Sequence, residues 1–214
     1  MKKVLAVLLT VLLVFGLCSC AKSDETVYGG GEVNGEKIED ENLPVSQGFK
    51  ATHNVVIKVK DVGEIKLELY GEEAPITVNN FVSLVNKKFY DGLTFHRIIE
   101  GFMIQGGDPE GNGTGGSDKE IKGEFSANGV ENPISHKRGV LSMARANDPN
   151  SASSQFFIMH EDYTGLDGSY AAFGMVTSGI GVVDKLAEDT PVVDNNGTVQ
   201  NGKQPIIEYI KIVE

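Results

Sequence analysis

The residues best suited to chemistry lie in one stretch, 95–108, whose sequence is FHRIIEGFMIQGGD. It places a permanent cation, Arg97, among apolar side chains and close to an amide, Gln105. An arginine stays charged at any ordinary pH and presents several planar N–H donors, whereas an amide both donates and accepts hydrogen bonds. This combination is suited to binding a neutral peptide bond.

Two further runs of sequence also mix apolar and polar residues. Residues 139–145 (GVLSMAR) and 154–158 (SQFFI) alternate apolar and polar residues and end in short turns, which is typical of strands with one buried face. Taken together, the three runs resemble the cyclophilins, the peptidyl-prolyl cis/trans isomerases. The resemblance covers about residues 54–214, and its motifs follow the order and spacing of the family.

The resemblance implies a reaction without covalent chemistry. Rotation about an X-Pro bond faces a barrier of about 18–20 kcal/mol, because amide resonance must be broken. The twisted amide gains a lone pair on the prolyl nitrogen, so a fixed donor in a dry pocket stabilises the transition state most. Arg97 is the implied donor, with Phe102 and Gln105 as the other catalytic residues. Without the motif around it, Arg97 would be interpreted as a surface residue in an ion pair.

The same resemblance implies a shallow groove that binds proline-containing segments of unfolded or folding proteins. Its substrate-binding residues are Met103, Gly113, Ala144, Arg145, Ala146, Gln155, Phe157, Leu166 and Tyr170. Phe102, Met103, Phe157 and Leu166 form the slot for the proline ring, and main-chain groups of Arg145 pair with the extended peptide. Gln105 and Gln155 hydrogen-bond the substrate backbone or position Arg97, with a purely structural role as the alternative.

Alternation along strands separates neighbours within these motifs. Phe156 and Phe157 must point to opposite faces, and Phe157 is assigned to the groove by the resemblance alone. His96 is adjacent to Arg97, and alternation predicts that it points the other way. We therefore expect His96 to be a packing residue rather than a catalyst.

Two positions depart from the family pattern. Many cyclophilins carry a tryptophan where this chain has Gly165, and a histidine where it has Tyr170. Loss of a ring that contacts cyclosporin predicts weak inhibition by that ligand. Tyr170 can still cover the proline ring, so catalysis is expected to survive. The alternative is a peptide-binding module or chaperone that uses the groove with little turnover.

Other motifs indicate no further chemistry. The glycine-rich run 111–116 lacks the Lys-Ser/Thr ending of a phosphate loop. The run 151–154 lacks the glycines of a hydrolase nucleophile elbow. No metal or organic cofactor is implied.

The elements that position these residues are mostly strands. A hairpin is predicted from 54–60 and 64–70, a helix that starts at Pro75, and a second helix over 181–188. Further strands are predicted at 95–98, 103–105, 139–143, 155–158 and 206–213. Periodicity alone indicates one mostly β domain. The resemblance implies a closed antiparallel eight-stranded β-barrel capped by two α-helices.

The N-terminus predicts export. Lys2 and Lys3 precede an apolar run of about 14 residues, which is too short to span a bilayer comfortably. The following LCSC resembles the bacterial lipobox, in which cleavage before a cysteine, here Cys20, accompanies its lipidation. We therefore predict a signal peptide at 1–19 and an extracytoplasmic protein anchored to the cell membrane by lipidated Cys20. An uncleaved anchor or a plain signal peptide is the alternative.

Composition fits this organisation. The 214 residues allow one isomerase domain, 51–214, and an acidic segment, 20–50, that is predicted to be a flexible tether, with a small hairpin near 30–37 as the alternative. Both cysteines, Cys18 and Cys20, precede the domain, so no disulfide stabilises it. Cleavage removes two of 19 basic residues and none of 30 acidic residues, so the formal charge changes from −11 to −13. This charge argues against nucleic acid as a partner, and a monomer is expected.

Overall fold

The computed structural model describes residues 32–33, 36–37 and 42–213. Its helices are α1 (Pro75–Asn86) and α2 (Ile180–Asp189). Its strands are β1 (Glu32–Val33), β2 (Glu36–Lys37), β3 (His53–Val59), β4 (Gly63–Leu69), β5 (Thr94–Ile99), β6 (Met103–Asp108), β7 (Val140–Met143), β8 (Phe156–Met159), β9 (Ala172–Ser178) and β10 (Ile207–Val213).

Strands β3 to β10 form one antiparallel sheet in the order β10-β3-β4-β9-β7-β8-β6-β5. The edge strands β5 and β10 approach each other around Thr94 and Ile206, which form an isolated bridge. Farther along β5, the N–H of Ile98 donates to Gly197 and the N–H of Val199 donates to His96, at 2.8 and 3.0 Å. The expected closed barrel is therefore wrong. The sheet is an open, curled half-barrel, because a loop occupies the edge of β5 that closure would require.

The predicted strands and helices are present, with small shifts in their ends. The sequence did not predict β9, whose seven residues complete the eight-stranded sheet. Six of these seven residues are buried, so both faces of β9 are covered and no apolar–polar alternation marks it.

Apolar residues pack on both faces of the sheet. Inside the curl, the ring of Phe81 from α1 lies 5.7 Å from Phe156 and 5.3 Å from Phe173. On the opposite face, Phe157 belongs to a second cluster with Met103 and other buried residues. The predicted opposition of Phe156 and Phe157 is confirmed.

A buried carboxylate fixes the start of α1. Glu124 accepts hydrogen bonds from the N–H groups of Ile76 and Thr77 at 3.0 and 2.8 Å. These N–H groups lack partners inside the helix, and the negative charge also suits the positive end of the helix dipole.

The segment before the domain is only partly described. β1 and β2 pair as an antiparallel hairpin, which was the alternative to a coil there. Residues 42–50, predicted to belong to the flexible tether, instead contact the domain, for example through Phe49 and Tyr70. The predicted signal peptide and Cys20 lie outside the described residues. In the part that is described, no helix combines the length and apolar character needed to cross a membrane.

Candidate active site

The predicted site residues meet in two adjoining cavities on the outer face of the sheet. The first, of about 480 Å³, is lined by Arg97, Phe102, Met103, Gln105, Gly113, Ala144, Arg145, Phe157, Leu166 and Tyr170, among others. Gln155 and Ala146 line the second, of about 340 Å³, which also contacts Gln105, Gly113, Ala144 and Arg145. The structure therefore brings together every groove residue that the sequence nominated.

The register of two strands sets the central polar pair. Arg97 of β5 lies directly opposite Gln105 of β6. Across the pair, Nη1 of Arg97 donates to Oε1 of Gln105 at 3.3 Å. The register of this hairpin therefore places the amide beside the guanidinium.

A second amide fixes the orientation of the first. Nε2 of Gln105 donates to Oε1 of Gln155 at 2.8 Å. Nε2 of Gln155 in turn donates to the carbonyl oxygens of Gly113 and Gly115 at 3.1 and 2.7 Å. Because the N–H groups of Gln155 face carbonyl oxygens, its oxygen must face Gln105, which leaves the oxygen of Gln105 for Arg97. Both glutamines thus hold Arg97 in position through this series of hydrogen bonds.

The loop that accepts these bonds is organised by a buried carboxylate. Asp108 is 1% exposed and accepts hydrogen bonds from the N–H groups of Glu110, Asn112 and Gly113, at 2.9, 3.0 and 2.6 Å. Burial raises the pKa of Asp108, but these backbone hydrogen bonds outweigh it and hold the pKa below its ordinary value. Gly113 has φ of 90°, a conformation that favours glycine.

Arg97 also binds a loop that sequence reasoning missed. Its Nε donates to the carbonyl oxygen of Asn196 at 2.8 Å, and Nη2 donates to the Asn196 side-chain oxygen at 3.3 Å. Asn196 and Thr198 line the cavity as well. Burial lowers the pKa of Arg97, and the carboxylate of Asp194 opposes the shift. The sequence carries no signal for this contact, because it joins residues 99 positions apart and partly uses a main-chain atom.

The expected orientation of His96 is wrong. Its ring lines the same cavity as Arg97 and lies beside Gly113. Register shifts between β5 and β6 on either side of Phe95 break the simple alternation. The residue is nevertheless buried, with 4% exposure, and burial lowers the pKa of His96, which Asp108 opposes.

The apolar slot has a buried floor, and Tyr170 forms one wall of it. Met103 and Phe157 are 1% and 5% exposed, and Phe157 meets Tyr170 edge to face at 5.8 Å. The guanidinium of Arg145 stacks over Tyr170 at 4.7 Å and donates to the carbonyl oxygen of Ser169 at 3.0 Å. Arg145 was expected to act through its main chain, and its side chain has this additional role of holding Tyr170.

The position without the tryptophan lies at the rim. A side chain on Gly165 would start 3.0 Å from the ring of Tyr163. Tyr163 is 52% exposed and meets the ring of Phe102 edge to face at 5.1 Å. Tyr163 therefore packs beside both Gly165 and the slot residue Phe102.

The arrangement combines an apolar slot with a fixed, charged donor. Three of the five N–H groups of Arg97 have the partners described above, so two remain for a ligand within the described part of the chain. No group of three or more His, Cys, Asp or Glu side chains in the described residues is placed to hold a metal ion.

Known proteins are similar to this chain in sequence and fold. Residues 54–213 match the family described as cyclophilin type peptidyl-prolyl cis-trans isomerase/CLD. The chain is 51% identical over 122 residues to peptidyl-prolyl cis-trans isomerase B of Bacillus subtilis, covering 57% of this chain and 82% of that protein. It is 47% identical over 128 residues to the peptidyl-prolyl cis-trans isomerase of Helicobacter pylori, covering 59% and 76%.

A solved structure agrees with these relatives. The crystal structure of a Cryptosporidium parvum cyclophilin type peptidyl-prolyl cis-trans isomerase, in the presence of the dipeptide Ala-Pro, aligns with a TM-score of 0.67 and 32% identity. The alignment covers 75% of this chain and 99% of that one. The chain therefore belongs to the cyclophilin type peptidyl-prolyl cis-trans isomerase family.

Proposed function

We propose that this peptidyl-prolyl cis-trans isomerase is an exported lipoprotein that accelerates X-Pro isomerisation while proteins fold outside the cytoplasm. The support for export is the N-terminal sequence: Lys2 and Lys3, a short apolar run and Cys20 within LCSC. A lipid on Cys20 would anchor the protein to the cell membrane. The domain would act there as a monomer on proline-containing segments of folding chains.

Arg97 is the proposed catalytic donor. The single observation that supports this role best is the hydrogen-bonded series Gln155–Gln105–Arg97, which fixes the guanidinium in a cavity that also contains the apolar slot. As the X-Pro bond twists, the prolyl nitrogen gains a lone pair that a remaining N–H of Arg97 can meet. Such a preorganised donor favours the twisted state over both planar states.

The apolar residues hold the proline ring while the bond rotates. The slot is formed by Phe102, Met103, Phe157 and Leu166. Tyr170 covers one side of the slot, and the Arg145 guanidinium that stacks on its ring holds it in place. The adjoining cavity along Ala146 and Gln155 receives the residues that precede proline in an extended peptide. Rotation then needs movement of only one part of the bound peptide.

The lipid anchor is tested by expressing the full chain and its Cys20→Ser variant in a bacterium fed radiolabelled palmitate. The wild type should carry the label, lose residues 1–19 and sediment with membranes. Cys20→Ser should lose the label, whereas Cys18→Ser, two residues away, should keep it. An unlabelled wild-type protein would contradict lipidation but not the isomerase activity, which is measured separately.

A further inference from the structure

Residues 42–50, which we name the strap, pack on the domain just outside the region matched by the family. At one end, Nε of Arg138 donates to the carbonyl oxygen of Asn42 at 3.5 Å. Pro44 fills the space beside Gly139, where φ is 81° and a side chain would overlap the proline ring. The other end inserts Phe49, whose ring centroid lies 5.5 Å from that of Tyr70.

The centre of the strap makes a paired hydrogen bond. Nε2 of Gln47 donates to the carbonyl oxygen of Ser135 at 2.8 Å, and the N–H of Ser135 donates to Oε1 of Gln47 at 2.9 Å. One side chain thereby satisfies both main-chain groups of Ser135. Two hydrogen bonds hold Ser135 more firmly than one, because the Gln47 amide cannot rotate without breaking both of them.

Ser135 leads directly to the loop beside the apolar slot. Its hydroxyl donates to Oδ2 of Asp167 at 2.7 Å, and the N–H of His136 donates to Oδ1 of Asp167 at 2.7 Å. Asp167 follows Leu166, which lines the cavity. Two successive hydrogen bonds thus connect the strap to Asp167, the chain neighbour of the slot residue Leu166.

His136 connects Asp167 to Phe157, which lies in the floor of the groove. Its Nδ1 lies 2.8 Å from Oδ1 of Asp167, and its Nε2 lies 3.0 Å from the hydroxyl of Ser142. With both ring nitrogens held, the imidazole stacks on Phe157, at 6.0 Å between centroids and 18° between planes. Any shift of residues 135–136 must therefore move the support beneath Phe157.

Phe49 is connected to the groove through apolar contacts. It lies against the apolar cluster that contains Tyr70, Met103 and Phe157, and Leu166 packs against the same cluster. Interiors of this kind are densely packed, so loss of a ring at the edge is felt by its neighbours.

We propose that the strap is a working part of the isomerase, and that Gln47 and Phe49 are positioning residues for the wall and floor of the proline slot. Gln47 acts through Ser135 and Asp167, and Phe49 acts through the apolar cluster. The active unit then begins near residue 42, although the family match begins at residue 54. The proposal rests on the isomerase activity but not on lipidation.

The test uses the full chain in detergent, with Gln47→Ala compared with wild type. Val45→Ala is the matched control, because Val45 lies in the strap yet is 82% exposed. We expect Gln47→Ala to lower kcat/KM roughly 3- to 10-fold, the factor that corresponds to about one net hydrogen bond lost from the support of the slot. The NMR signals of the His136 and Phe157 rings should shift, and the lower kcat/KM should persist well below the thermal midpoint, where the variant is folded. Phe49→Ala should shift the Phe157 ring and lower kcat/KM as well.

Two outcomes would overturn the proposal. Wild-type kcat/KM and unmoved ring signals in Gln47→Ala would show that the strap does not reach the groove. A loss of activity that simply follows the fraction of unfolded protein would reduce the strap to a stabilising segment. An inactive wild type would instead contradict the isomerase activity itself, and the two failures are therefore distinguishable.

Discussion

Replacement of Arg97 by alanine tests the catalytic proposal most directly. It removes the donor aimed at the prolyl nitrogen and three hydrogen bonds to Gln105 and Asn196. Loss of one preorganised transition-state donor costs about 2.7–4 kcal/mol, which corresponds to a fall of roughly 10²–10³ in rate. The fold should survive, because the groups left without a partner border an open cavity where water can reach them.

Arg97→Lys separates charge from geometry. A lysine keeps the positive charge but presents three donors from a single point, whereas Arg97 uses a planar fork to bind Asn196 and Gln105 together. The ammonium cannot satisfy both partners and still face the prolyl nitrogen. We therefore expect Arg97→Lys to lose most of the activity, with a rate between those of wild type and Arg97→Ala.

The assay is cis/trans exchange of an Ala-Pro peptide, followed by NMR line broadening. Lys58→Ala is the control, since Lys58 is a partly buried cation that lies 4.0 Å from Glu64 and is not among the residues that line the cavity. It should keep near-wild-type exchange rates. The reasoning is refuted if Arg97→Ala catalyses exchange as well as wild type does. A wild type that binds the peptide but leaves exchange at the uncatalysed rate would indicate a peptide-binding module.

Four further predictions concern the site and the groups around it. Gln155→Ala should lower kcat/KM about tenfold, which is less than the effect of Arg97→Ala. The substitution removes the hydrogen bonds from Gln155 to Gln105 and to the loop at Gly113 and Gly115, but it leaves the donor Arg97 in place. Burial lowers the pKa of His96 and His136, so the unfolded chain binds protons first and stability should fall as the pH drops below about 6.5. The pKa of Asp108 is also lowered, as are those of Asp167 and Asp184, so a second loss should follow below about pH 3.9, and Asp108→Asn should make that loss smaller in a urea-unfolding profile. Cyclosporin should inhibit the wild type weakly and Gly165→Trp more tightly, and equal inhibition constants would contradict this explanation.

Local patterns were sufficient for most elements. The hairpin of β3 and β4 alternates apolar and polar residues, since one face is buried and the other is wet. Alternation also separated Phe156 from Phe157, because adjacent residues of a strand must face opposite ways. The same rule failed at His96, where register shifts interrupt β5. It gave no signal for β9, whose two faces are both covered.

The sequence by itself determined the chemistry available to the groove, because Arg97 and Gln105 lie on the two strands of one local hairpin and Phe157 lies in a motif that resembles the family. Only the tertiary structure decided that the sheet stays open, that Asn196 holds Arg97, and that Gln47 binds Ser135. Each of these features depends on contacts between segments far apart in the chain. Such contacts are made partly by main-chain atoms, which are the same in every residue, so no pattern of side chains can specify them in advance.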